Sequence, residues 1–285
     1  MVPAWTRTPM LGEDDGRRGT RVQMRAETRA ALAAVDTALK LIRRRAGADQ
    51  ITGKGGRDLV TGTDVASEDA IRASLLAAYP EWTVVGEERG GEDQVGDRPY
   101  WLVDPICGTR NFASDIPGYA VNVALFQDGE LSVAAVGDGV TGDRFIAERG
   151  RGAYQVLRNG PARITTDPTQ PILSFSAGPS KPGMDAAIGA DFTRAAIVAD
   201  TWDLRMLSST LSLAYLASGR IGAYLLLELS SPVHAAAGAL LSEEAGAIVT
   251  DRYGAPWTVE CPSILAAAGP ELHADILAMI RETTP

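Results

Sequence analysis

The chain has 285 residues, of which 45% are hydrophobic and 22% charged, with a formal net charge of −9. This composition suffices for one large core or two moderate ones, and the acidic balance leaves no basic surplus to displace phosphate counterions, which argues against a nucleic-acid partner. No apolar run approaches the roughly 20 residues of a membrane helix and no secretory apolar stretch opens the sequence, so the expectation is a cytoplasmic protein without a membrane partner. The two cysteines, Cys107 and Cys261, are too few for a disulfide framework and are expected as reduced thiols.

Residues 1–20 lack periodicity and read as a flexible arm. From Val22 to Arg45 alanine, leucine and charged residues recur at helical spacing, which predicts an amphipathic helix with Arg43, Arg44 and Arg45 as favourable cations at its C-terminus. A glycine-rich loop with Lys54, Gly55 and Gly56 follows, then a second helix over Asp64 to Ala78, closed by Pro80. The apolar runs Thr83 to Gly86 and Tyr100 to Val103 are strands followed directly by carboxylates, and Tyr119 to Phe126, Leu131 to Val136 and Arg144 to Ala147 read as an antiparallel meander. Beyond Pro168 strand and helix patterns alternate: a strand near Leu173, a helix near Arg205 to Ser218, a strand Ala223 to Leu227, a helix after Pro232, and a last strand and helix from Ile264 onward. The change divides the chain into an α+β half over 21–165 and an α/β half over 166–285. His273 reads as a surface residue of the last helix and Cys261 as a core thiol.

The chemistry concentrates in Trp101-Leu-Val-Asp104-Pro-Ile-Cys107-Gly-Thr109-Arg-Asn111-Phe112. A buried strand delivers Asp104 to its end, Pro105 fixes a turn, and Gly108 allows close backbone approach before a helix start at Thr109. Free amides there suit a phosphate, and the carboxylate suits a hard cation.

This segment resembles the central motif of the inositol-monophosphatase-like enzymes, W-x-V-D-P-I-D-G-T-x-N-F, with Cys107 in place of the second aspartate. Three further segments match in the family's order: Val60-Thr61-Gly62-Thr63-Asp64 with Glu68, Gly86-Glu87-Glu88, and Ala235-Ala236-Ala237-Gly238 to Glu244-Ala245-Gly246 with Thr250, Asp251 and Gly254. The resemblance spans Val22 to Ile280. It implies an α/β fold, a layered αβαβα sandwich, a small-molecule substrate and a homodimer. It also implies one Mg2+ on Glu87, Asp104 and the backbone carbonyl of Ile106, and an attacking water near Glu87 and Thr109, whose hydroxyl bonds to Asp64. Gly108, Thr109 and Lys54 stand where the family binds phosphate. A second Mg2+ is held in the family by residues at the positions of Asp104, Cys107 and His234.

Here the chain departs from the family. A thiol and an imidazole are poor ligands for a hard cation, so two-magnesium hydrolysis is expected to be impaired. With Asp104, Cys107 and His234 form a ligand set suited to Zn2+. His234 is alternatively a general acid, or Cys107 and His234 a nucleophilic pair, because a helix N-terminus near each lowers a thiol pKa and favours a neutral imidazole. On the substrate side Ala223-Tyr224 leads into Leu225, Leu226 and Leu227, where the family places a glutamate for sugar hydroxyls. The leucines read as strand core. The expectation is a divergent enzyme acting on a small phosphorylated or sugar-like metabolite without an organic cofactor; a repurposed non-hydrolytic enzyme using Cys107 and His234, and a catalytically inactive binding or scaffold protein, stay open beside it.

Overall fold

The computed structural model describes residues 23–45, 51–55, 58–176 and 186–283. The arm expected over 1–20 lies outside them. Helix α1 (Ala26–Arg45) buries Ala31, Ala34, Val35, Ala38, Leu39 and Ile42, an i, i+3, i+4 stripe of small and branched residues. With α2 (Gly62–Ala78) it covers one face of a seven-stranded sheet of β3 (Thr83–Gly86), β4 (Tyr100–Cys107), β5 (Ala120–Gln127), β6 (Glu130–Asp138), β7 (Arg144–Glu148), β8 (Gly152–Leu157) and β9 (Gly160–Ile164), hydrogen-bonded in that order. The approach is close because β6 carries Gly137 under the helix, where a Cβ would stand 2.5 Å from Val35. Only β3 and β4 run parallel; the rest is an antiparallel meander.

A five-stranded mixed sheet forms a second layer, ordered β11 (Asp203–Arg205), β10 (Ile172–Ser176), β12 (Ala223–Leu226), β14 (Ile264–Ala267), β13 (Ile248–Thr250). Between the sheets lie α5 (Leu211–Ala217) and α6 (Pro232–Glu244), both packed against strands of each sheet. Helix α6 buries an unbroken run from Ala235 to Ser242, the pattern of a helix apolar on every side and therefore enclosed. On the outer face of the second sheet, α4 (Ala186–Ala199) and α7 (Pro270–Thr283) close a core that includes Leu173, Phe175, Phe192, Leu225, Leu265 and Ile276. The five layers are the expected αβαβα sandwich.

Several local expectations change. The loop around Lys54 is a hairpin of β1 (Ile51–Gly55) and β2 (Asp58–Thr61). The helix expected from Arg205 starts at Leu211, because 203–205 pair as an edge strand with β10. His273 is not a surface residue: it is 8% exposed, its Nε2 meets the Thr250 hydroxyl at 2.8 Å, and burial holds the imidazole neutral by lowering its pKa. Cys261 is only half-buried, with its sulfur accepting from the Thr258 amide at 3.3 Å.

The link between α2 and β3 bears on the site. Glu68 has no exposed surface, and its carboxylate accepts from Arg72 Nε at 2.8 Å, the Glu88 amide at 2.6 Å and the Arg89 amide at 3.1 Å. This fixes the turn that carries Glu87. Gly86 makes room for it, since a Cβ there would lie 2.1 Å from Glu68 Oε1. Gly86→Ala should therefore displace the carboxylate and cost about 1–3 kcal/mol, measured as a lowered urea midpoint at unchanged m-value.

Candidate active site

Proline 105 has no N–H to give to the ladder between β4 and β5, and the register slips there: Asp104 faces Asn122 while Cys107 faces Ala120. Two residues on β4, Pro105 and Ile106, thus oppose Val121 alone on β5, so Asp104 and Cys107 emerge on the same face, toward α5 and α6. A regular strand would have put them on opposite faces. The parallel pairing of Gly86 with Val103 brings Glu87 alongside Asp104. His234 enters from the third position of α6, whose start is set by Pro232 and by Ser231, which accepts from the Val233 amide.

Asp104 has no exposed surface. Its Oδ2 lies 2.7 Å from His234 Nδ1, and the same nitrogen is 4.0 Å from Glu87 Oε2. Its Oδ1 is buried with no hydrogen-bond partner among the described residues. A buried carboxylate oxygen left in this way fits a cation, and Glu87, Asp104 and the Ile106 carbonyl are all oxygen donors, as a hard cation requires. The position of the family's second magnesium does not fit that ion, as expected: Asp104, Cys107 and His234 bring their ligand atoms within 4.8 Å of one another, but two of the three are not oxygen.

Asp64 and Thr109 meet as expected. The Thr109 hydroxyl lies 3.0 Å from Asp64 Oδ1 and 3.0 Å from the Ile106 carbonyl, with its proton available to one of them at a time. Asp64 in turn closes a capping box at the start of α2, accepting from the Thr61 amide at 2.9 Å and pairing with the Thr61 hydroxyl. Burial raises the Asp64 pKa above the ordinary carboxylate value, against the lowering effect of these hydrogen bonds. Gly108 adopts φ +97°, and a Cβ there would stand 2.8 Å from the Gly118 carbonyl, so this turn requires glycine. Lys54 belongs to β1, but its side chain lies outside the described part, and with it the expected phosphate contact.

The activated thiol is overturned. Cys107 is 7% exposed, and burial, reinforced by the Asp104 carboxylate, pushes the thiol well above its ordinary range. Its sulfur lies 2.9 Å from the Thr210 hydroxyl and 3.2 Å from the Thr210 amide. The helix that was to lower its pKa, α3 (Thr109–Ala113), has five residues and offers too little dipole to offset desolvation. Leu225 and Leu227 are buried in the outer core, in keeping with strand packing.

Sequence reasoning passed over Thr210 and Asn122. The Thr210 hydroxyl donates to the His234 carbonyl at 2.7 Å, and Asn122 Nδ2 donates to Thr210 Oγ1 at 3.1 Å and to the same carbonyl at 3.3 Å. Asn122 carries a signal, as a lone amide inside the apolar run Ala120-Val-Asn-Val-Ala124. Thr210 carries none.

The profile described as the inositol monophosphatase family matches residues 20–284. A Vibrio cholerae protein named Nus factor SuhB is 35% identical over 236 residues, 82% of this chain and 86% of that protein. Inositol-1-monophosphatase of Caulobacter vibrioides is 32% identical over 237 residues, 81% and 91% of the two chains. Among solved structures, the extragenic suppressor protein suhB of Bartonella henselae superposes with a TM-score of 0.81 at 26% identity, covering 91% of this chain and 100% of that one.

The raised thiol pKa predicts that at pH 8 native protein exposes almost no thiolate at Cys107. Iodoacetamide should label Cys261 under native conditions and Cys107 only after urea unfolding, read by peptide mass spectrometry.

Proposed function

The chain belongs to the inositol monophosphatase family, and from that membership we propose that it hydrolyses a small phosphorylated or sugar-like metabolite with one hard cation in its site, His234 standing where relatives of this fold place a second. The observation that carries this reading is the division of Asp104: one oxygen bonded to His234 Nδ1 at 2.7 Å, the other buried with no hydrogen-bond partner among the described residues. Glu87, Asp104 and the Ile106 carbonyl would hold Mg2+, which when bound polarises a phosphoryl oxygen and lowers the pKa of water.

The remaining work falls to the chain's own groups. Thr109 orients a water through its hydroxyl, and Asp64, made more basic by burial, accepts the proton passed along that hydrogen bond. As the new P–O bond forms and the ester P–O bond breaks, the leaving oxygen takes a proton from the imidazole of His234. Asp104 orients that ring through Nδ1 and stabilises its charge. Backbone amides after the αL turn at Gly108 would supply hydrogen-bond donors to the phosphoryl group.

The test is phosphate release by purified protein with Mg2+ from a panel of sugar and polyol monophosphates. Turnover is expected, and Asp64→Asn and Glu87→Gln should each lower kcat about 100-fold or more. A panel without any release overturns the reading.

A second reading is supported by the mutual reach of Asp104, Cys107 and His234, within 4.8 Å: Zn2+ with the thiolate as one ligand. It requires the sulfur to give up its proton to the metal and its place against Thr210. Cobalt added to the protein as a probe should then produce a sulfur-to-metal charge-transfer band that Cys107→Ser abolishes. A spectrum without that band disposes of the zinc reading and leaves the hard-cation reading standing.

A further inference from the structure

We infer that Thr210 is a positioning residue, a single hydroxyl that latches the three segments of the site together and so aims His234 at Asp104. The segments arrive separately: Asp104 and Cys107 on β4, Asn122 on β5, and His234 on α6. Thr210, 4% exposed, stands at the N-cap of α5 between them.

Its hydrogen bonds can be assigned by elimination. A hydroxyl has one proton and two lone pairs, and a backbone carbonyl can only accept. The proton therefore goes to the His234 carbonyl, 2.7 Å away. The lone pairs take the Asn122 Nδ2 hydrogen at 3.1 Å and the S–H of Cys107 at 2.9 Å. All three capacities are filled. The Thr210 amide adds a fourth contact to the sulfur at 3.2 Å, and the neighbouring Ser209 hydroxyl donates to the Cys107 carbonyl at 3.0 Å. In the first turn of α6 the His234 carbonyl thus receives two side-chain donors, Thr210 and Asn122, from outside its own helix. The backbone of His234 is held on one side and its ring on the other by Asp104. Without the hydroxyl, the His234 carbonyl loses the shorter of these two side-chain donors and keeps the longer Asn122 contact at 3.3 Å, which loosens the placing of the ring against the carboxylate.

The experiment uses full-length protein with 15N-labelled histidine. The chain has two histidines, so His234 is assigned by one substitution at His273. Thr210→Val keeps the shape and deletes the hydroxyl; it should shift and broaden the His234 Nδ1 signal, while Thr210→Ser should return the wild-type signal. An unchanged signal in Thr210→Val, or a Thr210→Ser signal as perturbed as that of valine, overturns the inference. Should the valine variant not fold, the wild type decides: a slowly exchanging Thr210 hydroxyl proton with a cross-peak to the α6 N-terminus supports the latch, and a hydroxyl in fast exchange with water overturns it.

A kinetic arm rests on the hydrolase reading and predicts a kcat about tenfold to a hundredfold lower in Thr210→Val with KM nearly unchanged. A shifted imidazole signal with unaltered kcat keeps the latch and removes His234 from the reaction, so the two ideas fail separately.

Discussion

A carboxylate taken wholly out of water must be met by donors or cations, and Asp104 at the end of β4 has one oxygen on His234 and the other on no described group. Much of the surrounding structure bears on that requirement. The bulge at Pro105 turns Asp104 and Cys107 to the same side of the sheet, the enclosed helix α6 delivers the imidazole, and the buried Glu68 fixes the turn that brings Glu87 near. Breaking a buried pair by removing one partner commonly costs about 3–5 kcal/mol, which makes the first turn of α6 a poor place for drift.

The two halves of the site are governed by different chemistry. Around Thr109 and Asp64 the groups are oxygen donors and acceptors at ordinary hydrogen-bond distances, joined to a helix cap that the fold needs anyway. Around Cys107 the groups are a neutral thiol bonded to the Thr210 hydroxyl, that hydroxyl donating to the His234 backbone carbonyl, and the His234 imidazole bonded to Asp104. The first half presents a hydroxyl paired with a buried carboxylate. The second offers a thiol and an imidazole beside Asp104, where a hard cation calls for oxygen ligands.

Much of this was legible in the sequence. Periodicity gave α1, α2 and the meander, and the motif around Asp104 gave the site, because carboxylates that follow short apolar strands point to a sheet edge facing a cleft. What escaped had identifiable causes. The hairpin around Lys54 contains the glycines of a loop, and its pairing depends on a partner strand rather than on local pattern. His273 looked exposed because the terminal helix carries charges on both sides of it, whereas the Thr250 hydroxyl, 23 residues earlier, accounts for its burial. The thiol of Cys107 was read from its nearness to a helix start, while enclosure between β4, α5 and α6, which no local pattern reveals, decides its state. Thr210 sits in an unremarkable Ser-Ser-Thr-Leu stretch and acquires its role only when α5 is packed between the sheets.

The central claim is that the exchange of two carboxylates for Cys107 and His234 leaves room for one hard cation and not two. Counting bound Mn2+ by electron paramagnetic resonance during a titration of metal-free protein tests it most directly. The account predicts a single site per chain that Glu87→Gln abolishes. Two Mn2+ ions per chain, magnetically coupled at close range, would contradict it.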